Sequence, residues 1–131
     1  MAVNFTNYGA LATLEWVLAQ TPSTPPTQLW IKLHVSDPGP DAANGAAVNT
    51  TRVALTWTQA VNILTDGRAQ AETDANVSWP TVPADETYSH ISLWDAVTAG
   101  NPWYYGPMDA PVAVTTGGAF VFPAGQTLDH A

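Results

Sequence analysis

Before Gln28 the apolar side chains recur at helical spacing, and from Gln28 onward they alternate with their neighbours in twos. In residues 7–20, Leu11, Leu14, Val17 and Leu18 fall on one face, with Tyr8 a turn earlier, which predicts an α-helix with an apolar stripe. Thr6 or Asn7 stands where an N-cap accepts a backbone hydrogen bond, and Thr21-Pro22 ends the element because a residue before proline is pushed out of the α region. The run TPSTPPT, residues 21–27, then reads as a stiff extended connector.

In 29–35, Leu29, Ile31, Leu33 and Val35 share one face while Trp30, Lys32 and His34 share the other, as a half-buried strand requires. Residues 52–57 repeat the pattern, with Val53, Leu55 and Trp57 opposite Arg52, Ala54 and Thr56. Further strands are predicted at 75–79, 88–95, 102–106, 111–115, 119–122 and 126–129. Between them stand Asp66-Gly67, Pro80, Pro83, Ala99-Gly100-Asn101, Gly106-Pro107, Gly117-Gly118 and Pro123-Ala124-Gly125, all turn chemistries. Gly117-Gly118 reads as a hairpin turn, and segment 58–64 fits a helical turn as well as a strand. The fold class is therefore mainly β: an antiparallel β-sandwich of about eight short strands with one N-terminal α-helix. One domain is expected over 1–131, with the helix in 1–20, the connector in 21–27 and the sandwich in 28–131.

Composition narrows the partners. Lys32, Arg52 and Arg68 face eleven acidic residues, giving a net charge of −8, and charged residues make up only 11% of the chain. Nucleic acid and anionic membrane surfaces are excluded as partners, because both need clustered cations. So low a charged fraction suits a subunit packed in an assembly better than a free enzyme. No cysteine is present, which removes disulfides, thiolate chemistry and cysteine-ligated metal. Residues 1–20 lack the basic flank and unbroken apolar run of a signal peptide, and no stretch approaches the ~20 apolar residues of a membrane span.

Candidate chemistry is sparse. His34 and Asp37 are close in sequence, yet the strand and the turn separate them, and Asp37 before Pro38-Gly39 reads as a turn residue whose carboxylate accepts local amides. Tyr88, His90, Ser92 and Trp94 are expected on one strand face, with no nucleophile elbow to make a hydrolase of His90 and Ser92. His34, His90 and His130 are too scattered for a metal site, and Asp37, Asp41 and Asn44 lack the ligand alternation of a calcium loop. No glycine-rich phosphate loop is present. The expectation is no catalytic residue, no cofactor and no metal. Consecutive Trp103, Tyr104 and Tyr105 cannot all face inward on a strand, so at least one should reach an edge, an interface or a sugar surface.

Six motifs in order carry a resemblance. Leu33-His34-Val35-Ser36-Asp37-Pro38-Gly39, Thr51-Arg52-Val53-Ala54, Ser78-Trp79-Pro80, Tyr88 to Ala96, Asn101 to Gly106 and Pro123 to Asp129 resemble a family of small tailed-phage virion proteins. Its members read "LHTADPG", "YAR", "FP", "THFGIFDA", "GNLLYYG" and "AGxLxxxLD". Val35-Ser36 replaces Thr-Ala, Ile91 to Trp94 replaces Phe-Gly-Ile-Phe, and Trp79 replaces Phe, all with strand character kept.

The resemblance implies a non-enzymatic structural protein of the virion, assembled in the host cytoplasm and docked on other virion proteins such as the major capsid or tail proteins, as a homo-oligomer or symmetric assembly. With no repeats or heptads from which to build a shaft, decoration of the head is favoured over a minor tail or tail-fibre position. A carbohydrate-binding module is the rival from another class. Asp37, Pro38 and Gly39, with the loop to about Thr50, and Trp103, Tyr104 and Tyr105 are the expected interface residues.

Overall fold

In the computed structural model, residues 1–20, 24–58, 62–63 and 65–130 are described. In chain order they form β1 (Ala2–Phe5), α1 (Asn7–Val17), β2 (Leu29–His34), β3 (Val53–Leu55), β4 (Asn62–Ile63), β5 (Ala69–Glu72), β6 (Val77–Trp79), β7 (Glu86–Trp94), β8 (Pro102–Val114), β9 (Phe120–Phe122) and β10 (Thr127–His130). The fold is mainly β with one N-terminal helix, as the alternation predicts. Among the described residues, eight strands form one sheet in the order β3-β2-β7-β8-β1-β10-β5-β4, and β6 pairs with β9 in a second. Every pairing is antiparallel except β1 with β10, where Ala2 lies beside Asp129.

The large sheet curls on itself. Thr58 N donates to Glu72 O at 2.9 Å and Asp74 N to Thr56 O at 3.2 Å, so the chain after β3 returns against β5. Inside lie Ile31, Leu33, Ile91 and Leu93 from β2 and β7, all buried. The small sheet adds Val77, Trp79, Phe120 and Phe122 to the same core. Trp79 and Tyr88 both pack on the Phe120 ring, at centroid distances of 5.4 and 5.2 Å, which joins the two sheets.

Four local expectations are corrected. Residues 102–106 and 111–115 are one strand, because Gly106 lies under β1, where a Cβ would come 2.6 Å from Ala2 O, and Pro107 faces His90 at a register shift in β7. That shift turns Tyr88 inward, away from the face of Ser92 and Trp94. Gly117-Gly118 is no hairpin between paired strands: it carries the chain from β8 to the other sheet, held by reciprocal backbone hydrogen bonds with Val82, both 2.8 Å. β1 and β5 were not expected at all. Of segment 58–64, Asn62–Ile63 is strand, while 59–61 and 64 lie outside the described residues, as do 21–23 of the connector, including Pro22.

The helix predicted over 7–20 forms over Asn7–Val17. Thr6 is its N-cap, accepting from Gly9 N at 3.0 Å, and it ends at Val17, with Ala19 in the left-handed region. The face turned to β8 carries Gly9 and Ala12, both buried, with Tyr8 and Trp16 beside them. The stripe that the spacing marks as apolar points away from the sheet: Leu11, Leu14, Val17 and Leu18 are 59, 54, 76 and 55% exposed. Small residues win the inner face because the helix backbone lies directly on β8. A Cβ on Gly9 would stand 2.4 Å from the Trp103 carbonyl oxygen, inside any permitted contact. Gly9→Ala should therefore lift α1 and lower stability by about 2 kcal/mol, read as a shift in urea midpoint at unchanged slope.

Candidate functional site

Strand pairing puts Trp30 opposite Trp94, Lys32 opposite Ser92 and His34 opposite His90, all on the face of the sheet away from the core. The loop after β2 closes one end of this face. Asp37 Oδ1 accepts from Gly39 N at 2.9 Å, Asn44 N donates to Pro38 O at 3.1 Å, and Val35 N donates to Gly45 O at 2.8 Å. Pro38 is buried and Gly39 adopts φ 71°, so Asp37-Pro38-Gly39 is a built corner. Further along, Val48 N donates to the Glu86 carboxylate at 2.6 Å. The loop is thus tied at both ends while Asp37, Pro40, Asp41 and Val48 remain exposed.

Under this loop His34 meets Ser92, a pair that sequence proximity could not suggest. His34 Nε2 lies 2.7 Å from Ser92 Oγ, and Nδ1 lies 2.9 Å from Asn44 O. A carbonyl only accepts, which assigns the imidazole proton to Nδ1; Nε2 then accepts from the serine hydroxyl. Ser92 Oγ in turn accepts from Trp94 Nε1 at 2.8 Å. Burial holds the His34 pKa down at about 4, with nearby Lys32 and His90 acting the same way and the Asn44 carbonyl opposing. The relay has the connectivity of a serine–histidine dyad, but both side chains are fully buried, so no substrate reaches the hydroxyl. His90 takes no part in it and bonds instead with Ser89 Oγ at 2.8 Å.

Next to the relay, two of the three basic residues meet one indole. The Arg52 guanidinium carbon sits 3.9 Å, and the Lys32 ammonium 5.5 Å, from the Trp94 ring centroid. Arg52 also donates to Ala96 O at 2.9 Å and Ala99 O at 2.7 Å, clamping the turn between β7 and β8. Partial burial, and then Arg52, lower the Lys32 pKa, and among the described residues no carboxylate lies within ion-pair distance of it. Arg68 pairs elsewhere, with Asp66 at 2.6 Å and Asp129 at 3.5 Å.

The aromatic triplet divides by strand alternation. Trp103 is only 3% exposed, stacked on Trp16 at 5.4 Å, met edge-on by Tyr8 at 5.3 Å, and donating from Nε1 to Asp95 at 3.2 Å. Tyr104 turns inward, stacks on Phe5 at 4.9 Å, and has its phenol pKa raised by burial. It lines a cavity of about 380 Å³ with Val3, Leu29, Trp57, Leu93 and Leu128, and among the described residues its walls hold no carboxylate, imidazole or amine. Tyr105 stands opposite Ser92, half-buried. The structure thus gathers His34, Ser92, Trp94, Lys32, Arg52 and Tyr105 on one face and leaves Asp37 at its rim. Asp37, Asp41 and Asn44 do not converge: Asp41 accepts from Asn7 Nδ2 at 2.7 Å, and no metal-type cluster of acidic, histidine or cysteine residues occurs among the described residues. Among the described residues no helix is long and apolar enough to cross a membrane.

A family model described as Podophage GP4 fiber I protein gp80 matches residues 4–128. No curated protein matches the chain. The family description concerns a fibre, and it lends no support to decoration of the head, the position favoured on the missing heptads.

Proposed function

We propose, because the chain belongs to the podophage GP4 fiber I protein gp80 family, that this phage structural protein is a non-catalytic subunit of a virion fibre which docks through the β2–β7–β8 outer face and the loop over 35–50. The observation that carries the reading beyond the family is the build of that loop. It is pinned by the Asp37 turn, by buried Pro38 and by Glu86, so it presents exposed Asp37, Pro40, Asp41 and Val48 without ordering cost on contact. Beside it Lys32 offers a cation with no carboxylate in reach among the described residues, on a chain of net charge −8. An acidic side chain on a neighbouring virion protein is the complement.

The interface residues of this reading are Asp37, Pro40, Asp41 and Val48 with Lys32 and Tyr105, whereas Pro38, expected at the interface, is fully buried and with Gly39 shapes the corner from within. Trp103 and Tyr104 act from behind, one under α1 and one inside the sheet. The same use of rings weighs against sugar stacking, since Trp94, Trp79 and Trp103 each already meet an internal partner. Gold-labelled antibody on purified particles should mark the fibres, at a few copies per particle by gel densitometry. Labelling spread over the head, in copy numbers set by capsid symmetry, would overturn the fibre assignment.

A further inference from the structure

We propose that the cavity inside the curled sheet is a binding site for one uncharged, predominantly apolar small molecule. It is independent of the docking face, whose side chains leave β2 and β7 in the opposite direction. A sheet of about eight strands that curls on itself has an interior that side chains either just fill or leave open for one small ligand. Here the filling stops short. β5 sets Ala71 directly opposite Leu128 of β10, with Ala69 two residues earlier on the same side, so two methyl groups stand where large side chains would complete the core. The space left is about 380 Å³, room for a molecule of roughly 12–20 heavy atoms and within the range of ligand pockets.

The walls grade from closed to open. Val3, Leu93 and Leu128 are buried at the far side, Leu29, Trp57 and Tyr104 are half-buried, and Thr58 is exposed where the chain after β3 meets β5. The walls also select by charge. Thr58 Oγ1 donates to Glu72 O at 3.2 Å and Gln70 Nε2 to Asp129 at 2.7 Å, so both donors are committed within the fold. Arg68, next in sequence to Ala69, is held by Asp66 and Asp129. An ionised ligand would therefore lose its hydration and meet no countercharge among the described wall residues. Water fares little better on such a lining, and its displacement by an apolar molecule is favourable. Trp57 and Tyr104 add ring surface for contact. Because β1, β2, β7, β8 and β10 fix most of the wall through the ladder, binding carries little ordering cost.

N-phenyl-1-naphthylamine, uncharged at neutral pH and fluorescent away from water, is the probe. Its emission with the full chain should rise to saturation at one molecule per chain, and 1-decanol should displace it at a concentration about tenfold or more below that of decanoate, which differs in carrying a charge. Methyl NMR of the wild type should show the probe at Leu29, Leu93 and Leu128 and not at Leu11 and Leu14, which are exposed on the helix. Ala71→Phe fills the space, so it should weaken binding by about tenfold or more while the urea midpoint is kept or raised. Leu11→Glu/Leu14→Glu should bind as the wild type does. If Ala71→Phe does not fold, the wild-type methyl shifts decide alone. Absence of saturable binding, methyl shifts confined to the helix leucines, a folded Ala71→Phe that binds as tightly as the wild type, or decanoate that competes as well as decanol would each overturn the proposal.

Discussion

Replacing Trp103 with alanine should destabilise the protein by roughly 3–5 kcal/mol, the range for deleting a buried aromatic side chain, and should release α1 from β8. The indole is buried and bears three separate contacts: the Trp16 stack, the Tyr8 edge and the hydrogen bond to Asp95. Asp95 also accepts from Asn101 N at 2.7 Å, so the turn between β7 and β8 loses a support at the same time. Gly9 and Ala12 are too small to fill the space left. Urea unfolding gives the magnitude, and the emission difference against a Trp16→Phe counterpart reports the helix, since the Trp16 part should move towards that of a solvated indole. Trp103→Phe keeps a ring to stack but loses the donor and part of the indole's volume, so it should fall between. A Trp103→Ala loss of less than about 1 kcal/mol would show that the helix is held by other means.

Acid is the second large lever. His34 titrates at about 4 in the fold against 6.5 ordinarily, so between those values the unfolded chain binds a proton that the folded one refuses. Stability is therefore fully present above pH 6.5 and declines as pH falls to about 4, by roughly 3 kcal/mol in all. Protonation would place a hydrogen on Nε2, where Ser92 now donates, and among the described residues no carboxylate bonds either ring nitrogen. His34→Gln should cost stability at neutral pH and also flatten the slope between about pH 6.5 and pH 4.5, which a merely structural loss would not do. Parallel urea titrations of both proteins measure it, and equal slopes would refute the assignment.

Much of the sheet was legible from short-range pattern. The alternation of Leu29 to Val35 and of Ile91 and Leu93 against their polar neighbours defines β2 and β7, and Asp37-Pro38-Gly39 announces its own corner. β1 was not, because Ala2–Phe5 is too short to show a period and is strand only through Asp129, Tyr104 and Tyr105. β5 reads Ala-Gln-Ala-Glu, with no apolar alternation to detect. The helix was legible, but its orientation was not. Spacing locates a stripe without saying which stripe is inside, and backbone approach at Gly9 decided against the leucines. The same limit applies to the candidate site. His34, Ser92, Lys32 and Trp94 could each be named, yet their meeting depends on the register of β2 against β7, a long-range quantity that no local motif encodes.

The parallel seam where Ala2 lies beside Asp129 has a temporal side. β10 fits between β1 and β5, two strands made long before it, so both must wait with open edges while the ribosome works through everything in between. Ring closure is thus a late, single event with high contact order, and the nascent chain is most prone to aggregate just before it. Substitutions in Thr127–His130 should accordingly reveal themselves first as low soluble yield during expression, ahead of any change seen in protein that has already matured.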